Sequence, residues 1–493
     1  MENRAAEIRD ALKHPVIDGD GHWMEPIPIF LEYLREVGGP GSVDQMRALW
    51  RRNQAWYRST WPERQHNRMR RTIWWGVTSN TLDKATALLP ALLNERLPDL
   101  GIDFALIYPS FGLTLNGIAE GDLQRAAARA YNMMTADMFA PFAARFAPVA
   151  ILPARTPKEA IEELEYAVRR LGFKAIMLRG NQERPIPSVA QEINDPQKAA
   201  WYCDTIALDS PHDYEPFWQR CVALGVAVTQ HAGSVRWSDR ASISNFTYNH
   251  VGHFAESNHA FARGVFLGGV VRRYPSLNFG FMEGGVSWAC QMCLDMIEHW
   301  EKRRLAGLQY PSTTNVAEMH RLIERYGDQR LKANADAIMN NLDAFRPECS
   351  LEELGRPEHV ADDFAAAGIN SKEDVQAVFS QNFYFGCEAD DRATIWAFDP
   401  RMGTRLRPVF SSDFTHFDVP DFREVIPEAF EMVERGFVTE EDFREFTFTN
   451  AARLHTANNP RFFEGTVVEQ AVADELGLIG GRRFTGKFAD RSG

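Results

Sequence analysis

Residues 16–26 read Val16-Ile17-Asp18-Gly19-Asp20-Gly21-His22-Trp23-Met24-Glu25-Pro26, an apolar entry followed by carboxylates, an imidazole and a proline. This pattern is typical of a buried strand that ends at a polar site. Because residues i and i+2 of a strand share a face, Asp20 and His22 can point at one spot. Carboxylate oxygens and imidazole nitrogens are the usual ligands of zinc, iron and manganese. The stretch therefore predicts either a metal pair or a turn in which the aspartates cap backbone amides.

The composition is that of an ordinary globular protein, with 493 residues of which 45% are hydrophobic and 25% charged. A net charge of −13 and the lack of a basic stripe argue against a nucleic-acid surface. No apolar run approaches the roughly 20 residues of a membrane span, and the polar N-terminus is not a secretory signal. Six scattered cysteines do not form a disulfide framework. We therefore expect a cytoplasmic protein that binds neither nucleic acid nor membranes.

Short apolar segments alternate with amphipathic ones along most of the chain. After Val16 and Ile17, buried strands are predicted at 103–108, 146–152, 174–179, 226–230, 277–282, 382–386 and 408–412. Helices are predicted at 27–37, 84–97, 120–142, 157–171, 215–224, 254–273, 421–436 and 439–446. Strands that alternate with helices indicate a parallel sheet, and this many units favour an α/β fold of the (β/α)8 TIM-barrel type. One barrel domain is expected over 14–456, with a Trp-rich insertion at about 38–76, a helical insertion at about 287–381 and a C-terminal tail at 457–493.

The Trp-rich insertion holds five of the twelve tryptophans among many arginines; they are Trp50, Trp56, Trp61, Trp74 and Trp75. Tryptophan together with arginine favours a lid over a ligand or a contact with a partner subunit. The alternative is a helical excursion that packs on its own domain. We expect a homo-oligomer, in the simplest case a dimer, or a pairing with a homologous subunit.

Ionisable residues recur just after the predicted strands. They are Asp20, His22 and Glu25 after the first, Arg179 after the fourth, His231 after the fifth, Glu283 after the sixth, Glu388 after the seventh and Asp413 after the eighth. In a barrel these positions surround one mouth. Burying several carboxylates together without a cation is costly, so a divalent metal ion is the expected explanation.

Several motifs together resemble the amidohydrolase superfamily. They are Asp-x-Asp-x-His-x-x-Glu-Pro at 18–26, Gly101-Ile102-Asp103, the segment 267–277, Phe281-Met282-Glu283-Gly284-Gly285 and residues 410–416. The branch they resemble holds aminocarboxymuconate-semialdehyde decarboxylase and related aromatic-acid decarboxylases, and the resemblance covers roughly residues 14–290 and 380–456. It implies a distorted (β/α)8 barrel of the metal-dependent hydrolase type, with metal after strands one, five and eight. His22, His231 and Asp413 match family ligands.

The sequence departs from that branch at two positions. The first strand usually ends in His-x-His or Glu-x-His, where this chain has Asp20-Gly21-His22, and a catalytic histidine usually follows the sixth strand, where this chain has Glu283. An oxygen-rich site shifts preference from zinc toward iron or manganese. It can also hold two ions if Glu25 or Glu283 bridges them.

Five residues are further candidates for the site. His250 and His253 share a face if they are helical, so one can act as a ligand or acid/base while the other orients it; we favour His253 for catalysis and His250 for substrate binding. His416 is a candidate substrate contact or supports the ligands from behind. Arg179 either clamps a substrate carboxylate or pairs with a barrel acid. Glu388 is either a site residue or a surface residue.

The expected function is hydrolysis of a small organic, carboxylate-bearing substrate by water activated on a zinc, manganese or iron ion, with catalytic roles for Asp413, His253 and Glu283. Three alternatives stay open. They are non-oxidative decarboxylation, O2-dependent hydroxylation by two iron or manganese ions, and a structural subunit without activity. The missing histidine after the sixth strand counts against decarboxylation, and the extra carboxylates motivate the oxygenase.

Overall fold

A parallel β-barrel forms the centre of the protein. The computed structural model describes residues 3–72, 76, 80–192, 200–234, 237, 241–302, 315–340, 362–479 and 482–483. Eight barrel strands follow one another in chain order: β1 (Ile17–Trp23), β2 (Phe104–Pro109), β3 (Phe146–Leu152), β4 (Ala175–Leu178), β5 (Val228–Gln230), β6 (Phe279–Phe281), β7 (Phe383–Glu388) and β8 (Pro408–Ser411). Each strand pairs in parallel with the next. The predicted (β/α)8 TIM barrel is confirmed, and each predicted strand overlaps an observed one.

The barrel closes where β1 meets β8, through a buried aspartate. Asp18 Oδ1 accepts the backbone N–H of Ser412 at 3.0 Å, and Asp18 Oδ2 accepts the Ser412 hydroxyl at 2.5 Å. The Ser411 hydroxyl donates to the carbonyl of Asp20 at 3.0 Å. At Gly19 an added Cβ would lie 2.2 Å from Val409 Cγ1, so a glycine is needed for this close approach. Asp18 is thus a structural residue that fixes the direction of β1.

Helices surround the barrel and carry the chain from strand to strand. The main ones span Ile27–Asn53, Gly121–Phe139, Pro157–Arg170, Glu215–Leu224, His253–Leu267, Ser287–Lys302, Lys372–Gln381 and Val425–Glu434. Two predicted helices are each divided. Pro90 separates Thr81–Leu88 from Pro90–Arg96, because a proline disfavours the helical conformation of the residue before it. Gly269, at φ 66°, separates His253–Leu267 from Val270–Arg273.

The first helix continues beyond its predicted end at residue 37. Gly39 has φ 76° and ψ 175°, which breaks the helix, and Pro40 follows as a residue suited to a helix start. The second part runs to Asn53, so the N-terminal portion of the Trp-rich insertion is helical.

The Trp-rich insertion contacts the loop after β5. Trp56 Nε1 donates to the carbonyl of Ile243 at 3.0 Å, and the Arg64 guanidinium lies 3.9 Å from the centre of the Trp56 ring. Arg71 donates to the carbonyl of Ser244 at 2.7 Å. Trp61 is exposed. These contacts agree with packing on the protein's own domain; the lid and the subunit contact stay predictions, and Trp74 and Trp75 lie outside the described residues.

Helices also fill the described part of the second insertion, which includes Val316–Tyr326, Gln329–Ala333, Ala335–Asn340 and Asp363–Ala366. Residues 303–314 and 341–361 of this insertion lie outside the described part of the chain. The predicted tail begins with turns over 457–468, which the helix Glu469–Leu476 follows. Within the described residues, none of the helices combines the length and apolarity needed to cross a membrane.

The closure by Asp18 can be tested by replacing it with asparagine. Asp18→Asn places an amide NH2 against donors that now meet a carboxylate, so we expect a loss of about 1–3 kcal/mol in the free energy of unfolding. Urea unfolding of metal-depleted protein measures this loss. Asp44→Asn, at an exposed helix position, is the control and should change stability by less than about 0.5 kcal/mol. An equal effect of the two substitutions would contradict the role of Asp18.

Candidate metal centre

Six of the predicted residues converge at the carboxyl ends of the barrel strands. Two groups, each within 4.8 Å, can hold a metal ion: His22, Glu283, Asp413 and His416 form one, and Asp20, His22 and His231 form the other. His22 belongs to both groups. The Asp20 and His22 side chains come from β1, His231 follows β5, Glu283 follows β6, and Asp413 and His416 follow β8. The barrel mouth therefore collects these side chains because parallel strands end on the same side.

His22 is oriented by a hydrogen bond behind it. Its Nδ1 lies 2.9 Å from the carbonyl oxygen of Pro109, which can only accept a hydrogen bond. Nδ1 therefore carries the proton, and Nε2 presents its lone pair to the cluster. His22 Nε2 lies 3.2 Å from His231 Nε2. A histidine held in this tautomer is prepared to bind a metal ion.

The carboxylates surround the same two nitrogens. Asp20 Oδ1 lies 3.6 Å from His22 Nε2 and 3.4 Å from His231 Nε2. Glu283 Oε2 lies 3.1 Å from His231 Nε2, and Asp413 Oδ1 lies 3.6 Å from His22 Nε2. Five potential ligand atoms thus face a common space, in the mixed nitrogen and oxygen set that divalent metals prefer.

The site residues fit a divalent cation on electrostatic grounds. Asp20 Oδ1 and Glu283 Oε2 are buried and form no hydrogen bond with a described residue. Burial raises the pKa of Glu283 to about 7 and that of Asp413 well above its usual value. Among the described residues, no lysine or arginine forms an ion pair with Asp20, Glu283 or Asp413. A bound cation would balance these carboxylates and allow them to ionise.

The histidines are neutral in this surrounding. Burial lowers the pKa of His231 to about 3 and that of His416 to about 4, and it lowers the pKa of His22 well below its usual value. Neutral imidazole is the form that ligates metal. The protonation states that burial imposes on the histidines are therefore those that metal binding requires.

Two of the cluster residues sit in strained backbone positions. Glu283 has φ 51° and Asp413 has φ 50°, in the left-handed region that non-glycine residues rarely adopt. Such conformations are found at functional sites because the surrounding structure compensates for their cost. At both positions the chain turns sharply as it leaves its strand, and the turn aims a carboxylate into the mouth.

His416 was expected either to contact substrate or to support the ligands from behind, and the structure places it among the potential ligands. Its Nδ1 lies 2.5 Å from Asp413 Oδ1 and 3.9 Å from Glu283 Oε1. Its ring lies 4.3 Å from the His22 ring, measured between centroids. His416 therefore faces the same space as the other five residues.

Glu25 is buried away from the cluster, which corrects its expected role as a ligand. Its two oxygens accept the backbone N–H groups of Ser110, Phe111 and Gly112, each at 2.9 Å. It does not belong to either potential ligand group of the described residues. Three amide donors occupy three of the roughly four lone-pair sites of this carboxylate, so Glu25 anchors the loop after β2.

Arg179 also lies outside the cluster. Its guanidinium donates to Glu183 Oε1 at 2.8 Å, and the side chain lines a different cavity. The structure thus places Arg179 in an ion pair, which was one of the two alternatives that the sequence allowed.

His253 and His250 border the cluster without joining its potential ligand groups. His253 Nδ1 lies 2.8 Å from the carbonyl of His250, and burial lowers the pKa of His253 to about 3. The ring of Phe254 lies between the two regions, 4.0 Å from the His253 ring and 5.1 Å from the His231 ring. The His250 ring stacks on Phe246 at 5.0 Å.

The structure brings two residues, Glu388 and Tyr108, closer to the site than the sequence predicted. Glu388, at the end of β7, is close enough to raise the pKa of Asp20 and of Asp413. Tyr108, at the end of β2, is fully buried with its ring 5.5 Å from the His231 ring, and its hydroxyl donates to Thr229 Oγ1 at 2.9 Å. In the sequence, the position of Tyr108 at the end of an otherwise apolar strand is the feature that could have identified it as a residue of the site.

Comparisons with known proteins agree with this fold. Residues 93–331 match the family model described as amidohydrolase. An amidohydrolase from Mycobacterium avium subsp. paratuberculosis K-10 is similar, with 17% identity, a TM-score of 0.50, and coverage of 90% of this chain and 98% of that chain. At such identity the likeness concerns the fold.

Two decarboxylase structures are also similar in outline. A dihydroxybenzoic acid decarboxylase from Polaromonas sp. JS666, with bound manganese and 2-nitroresorcinol, has 17% identity and a TM-score of 0.48 over 90% of this chain and 98% of that chain. A 5-carboxyvanillate decarboxylase from Novosphingobium aromaticivorans DSM 12444, with bound manganese, has 14% identity and a TM-score of 0.47 over 90% of this chain and 97% of that chain.

The cluster predicts that Asp413 is needed for metal binding. Asp413→Ala removes a buried carboxylate that faces His22 Nε2, and we expect affinity for manganese to fall at least about tenfold. Elemental analysis after dialysis against a fixed free manganese concentration measures the occupancy. Asp44→Ala, on an exposed helix face, should keep full occupancy. Full occupancy in Asp413→Ala would refute the site.

For Glu25 we expect the opposite of Asp413, namely an effect on stability and none on metal binding. Glu25→Gln puts an amide NH2 against backbone N–H donors, which we expect to cost about 1–3 kcal/mol in the free energy of unfolding while metal content stays unchanged. Urea unfolding and elemental analysis measure the two quantities, with the exposed Glu32→Gln as control. Loss of metal from a stably folded Glu25→Gln protein would return Glu25 to the ligand set.

Proposed function

We propose that this chain is a metal-dependent hydrolase of the amidohydrolase superfamily that acts on a small organic substrate, in line with the match of residues 93–331 to the amidohydrolase family model. One observation carries the proposal. Three carboxylates and two imidazole nitrogens lie at the barrel mouth in two overlapping groups that share His22, and Asp413, one of these carboxylates, contacts His416. The arrangement combines a cation site with a pair of residues able to transfer protons.

The residues that would hold the ion are His22 and His231 through Nε2, together with carboxylate oxygens of Asp20, Glu283 and Asp413. When bound, a divalent cation supplies Lewis acidity and lowers the pKa of a coordinated water toward neutrality. The oxygen-rich set favours manganese or iron over zinc.

Asp413 and His416 are proposed to handle protons. Asp413 Oδ1 lies 2.5 Å from His416 Nδ1, within the distance for direct proton exchange. Asp413 accepts the proton of the attacking water, and the pair returns a proton to the leaving group. Since both side chains are almost fully buried, bulk water does not compete for this proton.

Other residues are proposed to shape the pocket around the reacting atoms. The His250 ring lies 5.4 Å from the His253 ring, beside the cluster, and His250 is proposed to contact the substrate there. His253 lies behind Phe254 and is proposed to position the loop after β5 through its contact with the His250 carbonyl. The fold does not bring Arg179 to this edge, so a substrate carboxylate would be bound by the ion or by His250.

A second candidate function is O2-dependent hydroxylation by two iron or manganese ions. The observation that favours it is the overlap of two potential ligand groups, with the partly buried carboxylate of Glu388 nearby. His22 Nε2 has one lone pair and can bind one ion. A second ion would therefore depend on Glu283, Asp413 and His416.

Isotope labelling distinguishes the candidates. Manganese-, iron- or zinc-loaded protein is incubated with a panel of small esters, lactones, amides and aromatic acids in water enriched in ¹⁸O. Hydrolysis predicts one labelled oxygen in the acid product, no uptake of O2, loss of turnover on chelation and recovery on metal addition.

Other outcomes would overturn the hydrolase. Uptake of O2 with two ions per chain would establish the second candidate. Release of CO2 from aromatic acids without ¹⁸O in the remaining product would establish decarboxylation. Metal analysis of anaerobically purified protein accompanies both assays, because one zinc per chain without O2 chemistry excludes the oxygenase.

A further inference from the structure

A cavity of about 1160 Å³ lies on the same side of the barrel and shares no described residue with the metal centre. Its described walls come from the loops after β2, β3 and β4 and from the helices Ile27–Asn53, Gly121–Phe139 and His253–Leu267. They include Asn116, Arg155, Arg179 and Arg263. A cavity of this size is large enough for a small organic ligand.

The described walls are positively charged in a protein that is otherwise acidic. Four arginines, Arg52, Arg155, Arg179 and Arg263, line the cavity against two glutamates, Glu120 and Glu183. These residues carry a net charge of +2, whereas the whole chain carries −13. Such a local reversal of charge is what recognition of an anion requires.

Buried polar atoms in the same cavity lack partners. Both side-chain atoms of Asn116, Gln124 Oε1 and Arg179 Nε are buried and form no hydrogen bond with described residues. Asn116, Gln124 and Arg179 are 4%, 2% and 6% exposed. Buried donors and acceptors are normally satisfied, so several orphans around one cavity point to a ligand that satisfies them. Arg179 already donates to Glu183 through one nitrogen, and its Nε remains for an acceptor.

An aromatic wall faces this polar wall. Trp201 and Tyr202 line the cavity from a short antiparallel hairpin and are 43% and 37% exposed. The hairpin is held by an ion pair between Arg184 and the fully buried side chain of Asp204 at 2.8 Å. Exposed aromatic rings on a fixed support offer a surface on which a flat apolar group can stack.

We propose that this cavity is a binding site for an organic anion with a flat ring. Its carboxylate or phosphate accepts hydrogen bonds from Arg179 Nε and Asn116 Nδ2, and Arg263 supplies additional positive charge from the rim. Its ring packs against Trp201, since Tyr202, the next residue of the strand, points to the opposite face. The site does not depend on the metal centre, since the two share no described residue.

Calorimetric titration of the full chain tests this site with three probes: benzoate, inorganic phosphate and ADP. We expect at least one of them to bind both metal-loaded and chelator-treated protein with equal affinity. Binding of benzoate alone identifies a carboxylate ligand, and binding of phosphate and ADP identifies a phosphorylated ligand; either result supports the site.

Variants locate the binding. Arg179→Gln should weaken binding at least tenfold, and Arg263→Gln provides a second test at an exposed position if Arg179→Gln does not fold. Arg169→Gln removes the same charge from an exposed helix position away from the cavity and should bind like wild type. Asp413→Ala should also bind normally.

Three results would overturn the proposal. The first is no binding of any probe to wild-type protein, which would leave the cavity to water. The second is binding that both Arg179→Gln and Arg263→Gln leave unchanged. The third is binding that disappears with Asp413→Ala or with metal removal, which would place the anion at the metal centre.

Discussion

The carboxylates of Asp20, Glu283 and Asp413 share a buried space with the lone pair of His22 Nε2, and the rest of the site depends on that crowding. Acceptors placed this close repel one another unless protons or a cation separate them. Burial pushes the carboxylates toward their protonated forms and the histidines toward neutrality. A divalent cation resolves both conditions at once, because it binds neutral imidazole and ionised carboxylate. The metal centre is therefore the physical explanation for a polar cluster in the barrel mouth.

The barrel supplies the precision that this cluster needs. Asp18 joins β1 to β8 through Ser412, one residue before Asp413, so the strand bearing Asp20 and His22 is fixed against the loop bearing Asp413. The carbonyl of Pro109 in β2 holds His22 from the other side. Left-handed backbone at Glu283 and Asp413 turns their side chains inward. The interactions that close the barrel thus also fix the geometry of the site.

The strands and the strand-end residues could be predicted because both have local signals. A strand buried on both faces is an apolar run, and the first polar residue after it marks the mouth. The role of Glu25 could not be predicted, since the amides that bind it come from Ser110, Phe111 and Gly112, more than 80 residues along the chain. The position of His416 depends on left-handed conformations at Asp413 and Thr415, which residue type does not reveal. Arg179 follows β4 as expected, yet its side chain turns to Glu183 and the neighbouring cavity.

Anomalous X-ray diffraction from crystals grown with manganese shows whether the cluster binds a metal ion. We expect an anomalous peak within bonding distance of His22 Nε2 and His231 Nε2 and of at least one oxygen of Asp20, Glu283 or Asp413. A cluster without such a peak, in crystals of protein saturated with manganese, would contradict the assignment of these residues as metal ligands.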